Sequence, residues 1–158
     1  MRTQQTSIDS NQTLNIIHYN SRKPNLFEQL IAIEDAIPNL DGFQLNIIWP
    51  KFEELQKLKY FQVHEKDCKK LRIIFQLNQS AIDLVHSDQE LIDRIGLYKD
   101  VITDILWDMS GGHGKLINFD QSEKYLSLLT KEFPGLYYNV AGGLIPEVNQ
   151  DVKKLLAK

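Results

Sequence analysis

The sequence predicts an α/β protein built on a parallel sheet. Short β-forming stretches alternate with stretches whose apolar residues recur at helical spacing. The β-forming stretches begin near positions 14, 42, 71, 101 and 136, a period of about thirty residues and the length of one βα unit. Strands that alternate with helices force parallel pairing through right-handed crossovers.

The elements follow in order. Residues 13–20, TLNIIHYN, are the first apolar run. Asn25 precedes LFEQLIAIEDAI, in which Leu26, Leu30, Ile33 and Ile37 share a helical face. Asn25 with Glu28 three residues on reads as an N-cap and a capping-box variant. Pro38 ends that helix, Asp41-Gly42 forms a turn, and GFQLNII is the second strand. Pro50 takes the first helical position ahead of the amphipathic KFEELQKLKYF. LRIIFQLN, residues 71–78, is the third strand, and residues 80–97 are helical with a break near Ser87. VITDILW, residues 101–107, is the fourth strand, and a glycine-rich loop follows over 108–118. Asp120 caps a helix that runs to 133, and Pro134-Gly135 turns the chain into LYYNVA, the fifth strand. Gly142-Gly143 makes a tight turn ahead of a last helix over 146–156. Beyond this alternation no repeat is expected. Ile, Val and Leu on both strand faces predict a sheet covered on both sides. Five βα units fit a reduced or truncated TIM-type barrel, with an open flavodoxin-like sheet as the alternative. Residues 1–12 form a polar N-terminal segment and 13–158 a single barrel-like domain.

Composition narrows the function classes. The 158 residues are 42% hydrophobic and 25% charged, which suffices for one domain with a buried core. A net charge of −3 argues against a nucleic-acid partner, which needs a basic footprint. The basic residues of 51–72 interleave with Glu53, Glu54, Glu65 and Asp67 and read as a solvated helix face. No membrane partner is expected, because no apolar run nears the ~20 residues of a spanning helix. The single cysteine, Cys68, forms no internal disulfide, and the absence of a secretory pattern points to a cytoplasmic location. His18, His64, His86 and His113 lack metal-ligand spacing, so no metal site is expected, and no motif asks for a cofactor.

Polar residues gather on one face near the ends of the strands. With a period of two, His18 pairs with Asn20, Gln44 with Asn46, Gln76 with Asn78 and Asp104 with Asp108, and Asn139 lies near the end of the fifth strand. Ligands of parallel α/β proteins bind at the C-terminal edge of the sheet. These amides and acids therefore predict a pocket for a polar ligand, with strand-end capping as the structural alternative. Two glycine junctions follow strands: DMSGGHGK, with Gly111, Gly112, Gly114 and Lys115, and AGGLIPE, with Gly142 and Gly143. Exposed amides there are expected to form an anion-binding nest, with the helix after Gly143 adding its positive end; a mobile glycine-rich lid without phosphate and plain turn chemistry are the alternatives. Trp49 and Trp107 stand at strand ends and are expected between sheet and helices.

ILWD, GGHGK, NFD and AGGLIP, in that order, resemble the pattern of phosphoribosylanthranilate isomerase, a ribulose-phosphate-binding barrel family. FQLN at 43–46 is similar to that family's QLH strand. The resemblance implies a phosphorylated small-molecule ligand and, for any chemistry, an isomerisation with Asp108 as general acid. It places Gly142 and Gly143 at the phosphate and Gly111, Gly112, Gly114 and Lys115 in the loop over the site. The family's KICG-like motif, which supplies the general base, has no counterpart here, and Asn46 stands where the family has histidine. The alternative expectation is a non-catalytic binding or oligomeric module, with a homodimer closing the open sheet edges.

Overall fold

The computed structural model describes residues 13–65, 70–109 and 119–141. β1 (Ile16–Tyr19) leads through α1 (Leu26–Ala36) to β2 (Gly42–Leu45), and α2 (Phe52–His64) leads to β3 (Arg72–Asn78). A short α3 (Gln79–Ile82) and α4 (Asp88–Tyr98) precede β4 (Asp104–Asp108), and α5 (Phe119–Glu132) precedes β5 (Tyr137–Ala141). The sheet is all parallel and its strand order is sequential, β1-β2-β3-β4-β5. With right-handed crossovers between neighbouring strands, each helix returns to the same side of the sheet.

One sheet face is apolar. Tyr19, Phe43, Leu45, Ile73, Phe75, Leu77, Ile105 and Trp107 are buried there in one cluster with Leu30, Leu55, Leu58, Ile95 and Leu129 of the helices. Tyr98 of α4 stacks on Phe75 with ring centroids 5.2 Å apart, and Tyr125 of α5 lies 5.5 Å from Trp107. The opposite face carries His18, Gln44, Arg72, Gln76, Asn78, Asp104, Asp108 and Asn139, with Ile74 and Leu106 among them. The expectation of two apolar faces is therefore corrected. Side chains alternate along a strand, and here one of the two alternating sets is mostly polar.

Gly42 opens β2 instead of forming a turn. A Cβ at this position would lie 2.2 Å from the Arg72 carbonyl oxygen, so only glycine lets β2 and β3 approach here. Pro50 lies two residues ahead of α2, whose N-cap position is Lys51. Asp120 is inside the first turn of α5 and not its cap. The break near Ser87 separates α3 from α4, and Ser87 Oγ accepts from the Glu90 amide at 3.1 Å. Glu90 Oε2 accepts from the His86 amide in return, at 2.9 Å.

Asn25 holds the N-cap position of α1, but its φ of 50° turns the side chain from the helix amides. Its Oδ1 accepts from Gln29 Nε2 at 3.1 Å. Glu28 does not complete a capping box; α2 supplies the cap. Glu54 Oε2 accepts from the Phe27 amide at 3.1 Å, while Lys57 Nζ holds Glu54 Oε1 at 2.6 Å. The Lys57 ammonium, and after it the Phe27 amide, hold the Glu54 carboxyl below the usual carboxylate range. A depressed pKa in the folded state contributes stability that is fully present above the unfolded value and is lost as pH falls through the folded one. Glu54→Gln is therefore expected to lower the urea midpoint at pH 7 and to leave it unchanged near pH 2. An equal loss at both pH values would place the contribution in packing instead.

Candidate functional site

The polar face is organised by a constant offset. The backbone register pairs Gly42 with Arg72 and Ile74 with Asp104, positions 30 apart in each case. The side chains pair at a separation of 32. Gln44 Nε2 donates to Gln76 Oε1 at 2.9 Å, and Gln76 Nε2 donates to Asp108 Oδ2 at 2.9 Å. Asn78 Nδ2 donates to Asn46 Oδ1 at 3.3 Å, and Arg72 binds Asp104 at the same separation. Each side chain leans along its strand and meets the residue two places further on in the next one. The result is a diagonal chain, Gln44–Gln76–Asp108, that rises toward the C-terminal edge across three strands.

Below this chain lies a second cluster. Asp104 is fully buried, and Arg72 grips it with a fork of two bonds, Nε to Oδ2 at 3.1 Å and the terminal nitrogen to Oδ1. Thr103 Oγ1 donates to Asp104 Oδ2, and Asn139 Nδ2 approaches Oδ1 at 3.4 Å. The Arg72 guanidinium also lies over the Tyr137 ring, 5.4 Å from its centroid. A buried carboxylate is tolerated only when paired and hydrogen-bonded, and both conditions hold here. A hollow of about 250 Å³ opens on this face among Gln44, Arg72, Asp104 and Asn139, with Ile74 and Leu106 as its apolar walls.

Of the residues expected at the pocket, the structure connects seven by hydrogen bonds: Gln44, Gln76 and Asp108 in one chain, Asn46 with Asn78 beside it, and Asn139 with Asp104 below it. Gln76 and Asp108 are buried at 4% and 8% exposure, so the interior of the row is protein-bound and its rim is wet. Asn139 sits mid-strand in β5, not near its end, and joins the Asp104 cluster. His18 and Asn20 are exposed at β1 and make no side-chain hydrogen bond among the described residues. The glycine junctions expected to hold phosphate, with Gly111, Gly112, Gly114, Lys115, Gly142 and Gly143, lie outside the described residues, as do Cys68 and His113. Asn78 Oδ1 also caps α3, accepting from the Ala81 amide at 3.0 Å.

A signal for this geometry is present in the sequence and is missed by a reading that expects no repeat. The tetrapeptide FQLN occurs twice, at 43–46 and 75–78. Both copies place an apolar pair on the helix side and an amide pair on the polar side. Asp108 occupies the next position in the same series. The acceptor of Gln76 is thus a carboxylate where a third glutamine would continue the pattern.

The fold and this row define an α/β protein with an all-parallel sheet and a hydrogen-bonded amide–carboxylate series near its C-terminal edge. No protein-family model matches the chain, and neither a curated protein nor a solved structure matches it significantly. Among the described residues no group of three His, Cys, Asp or Glu side chains is placed to hold a metal ion. No helix among them is long and apolar enough to cross a membrane.

Asp104→Asn breaks the fork with Arg72 while keeping the shape. It is expected to cost about 3 kcal/mol, the low end for a buried ion pair because Arg72 keeps partial access to water. For a chain of this size that is a fall in Tm of roughly 10 °C, read by circular dichroism. A change of under about 2 °C would show that the pair contributes no net stability.

Proposed function

We propose that this chain binds a phosphorylated, sugar-like small molecule at the C-terminal edge of its parallel sheet. The observation that carries the reading is the Gln44–Gln76–Asp108 series, which sets amide donors and a carboxyl group at the edge where such sheets take ligands. A polyhydroxylated ligand needs this mixture of donors and acceptors. The reading treats the sheet as part of a TIM-type barrel. Its sequential strand order supports that over a flavodoxin-type sheet, whose usual order is 2-1-3-4-5. The resemblance to phosphoribosylanthranilate isomerase supplies the ligand class, with the phosphate on Gly142 and Gly143 and the loop of Lys115 above it. Asp108 is then the acid of an isomerisation, and Gln76 orients its carboxyl.

Thermal unfolding with ribose 5-phosphate, ribulose 5-phosphate and inorganic phosphate tests the binding. At about 100-fold excess over Kd a ligand adds roughly 2.7 kcal/mol, a rise in Tm of about 5–10 °C. Asp108→Asn is expected to keep that rise and to lose any isomerase turnover. No rise with any phosphosugar overturns the reading.

The second reading is a homodimer whose two sheets complete one barrel. It is favoured by β1 and β5 standing at the sheet edges among the described residues, since open parallel edges invite pairing. Light scattering on the full chain decides: a dimer mass is expected, and a strict monomer at micromolar concentration removes this reading.

A further inference from the structure

A separate hollow of about 370 Å³ lies between the segment that joins β1 to α1 and the segment that joins β2 to α2. It shares no residue with the Gln44–Gln76–Asp108 series. Its floor is apolar, made by Leu26, Ile47 and Trp49, and its rim carries Arg22, Lys23 and Lys51. The rim cations are exposed, and none of them enters an ion pair among the described residues. The acid on the lining is Glu54, whose charge is already offset by Lys57 and whose second oxygen is held by the Phe27 amide. Lys51 also acts on the Glu54 carboxyl, while Arg22 and Lys23 pair with no acid among the described residues, so cations outnumber acids around this hollow in a chain whose net charge is −3.

Trp49 is fixed in an unusual way. Its φ is 45°, a left-handed conformation that a bulky residue adopts only when its surroundings impose it. Its Nε1 donates to the Ala81 carbonyl at 3.1 Å, and the Arg94 guanidinium lies 5.1 Å from the ring centroid. Arg94 is itself held by Glu90 at 2.7 Å. The ring is therefore rigid before any ligand arrives, which lowers the ordering cost of binding against it. A volume of this size falls in the range of small-molecule sites, which combine apolar walls with a few polar anchors.

We infer that this hollow is a binding site for a small organic anion, one that carries a phosphate or carboxylate on a flat apolar body. The oxyanion meets Arg22, Lys23 and Lys51, and the apolar body lies against Trp49 and Ile47. The inference stands on its own observations and does not rest on phosphosugar binding at the strand ends.

Tryptophan fluorescence of the full chain reads the site directly. The other tryptophan, Trp107, is fully buried and bonds Ser122 Oγ at 2.8 Å, so it supplies a constant background. Titration with phenyl phosphate and with benzoate is expected to change the emission saturably. Affinity is expected to fall as salt is raised, as exposed charges require. The double variant Arg22→Gln/Lys51→Gln, at two exposed positions, is expected to keep its Tm and to weaken phenyl phosphate by at least about tenfold. Inorganic phosphate is expected to bind more weakly than phenyl phosphate, and equal affinity would overturn the role of the apolar floor. A flat titration, or one untouched by the double variant, overturns the site.

Discussion

A sheet that spends one face on an apolar core and fills the other with amides and carboxylates must give each buried polar group a partner, because an unmet one costs ~1–3 kcal/mol. Water is largely shut out of this face at Gln76, Asp104 and Asp108, so the partners come from neighbouring strands. The two-residue lead of side chains over backbone register makes this possible. It lets a long side chain on one strand reach a matching group on the next, and it repeats from β2 to β4 without change. The close approach of β2 to β3 at Gly42 lies at the lower end of the same system. Strand spacing and side-chain pairing are two aspects of one constraint.

The helix side answers a different need. There the aromatic residues join sheet to helices and also meet their own polar requirements. Tyr98 stacks on Phe75 while its hydroxyl donates to the Pro50 carbonyl at 2.6 Å, which ties α4 to the entry of α2. Burial pushes the Tyr98 phenol up, and that of Tyr138 as well, whose hydroxyl bonds the Leu129 and Phe133 carbonyls at the end of α5. Trp107 bonds Ser122 across the β4–α5 contact. Each aromatic thus fixes one helix to one strand through an apolar body and a single polar tip. The polar face can then be exacting about partners, because the strands that carry it are tied to the helices behind them.

Much of the fold was legible in the sequence. The five parallel strands and the helices between them follow from alternation of period two with period 3.6, and the described ones fall where that reading puts them. Boundaries were harder where local chemistry had two uses. Asn25 has the composition of a cap, yet its left-handed backbone leaves the capping to Glu54, 29 positions away in sequence and invisible to any local pattern. Strand-face periodicity correctly grouped Gln44, Gln76 and Asp108, but it could not show that they bond to each other. That depends on the diagonal offset, whose trace is the doubled FQLN. The Arg72–Asp104 fork was illegible for the same reason, since each partner alone reads as an ordinary strand-end charge.

The Gln44–Gln76–Asp108 chain also has a direction. Asp108 Oδ2 accepts from the amide nitrogen of Gln76, so that side chain turns its nitrogen toward β4 and its oxygen toward β2. That oxygen in turn obliges Gln44 to present its nitrogen. The orientation of a side chain on β2 is therefore dictated by a carboxyl group two strands away. An amide at position 108 could donate or accept, and the whole row would lose its single sense. Three hydrogen-bonding residues behave here as one oriented dipole, anchored at the end nearest the candidate ligand edge.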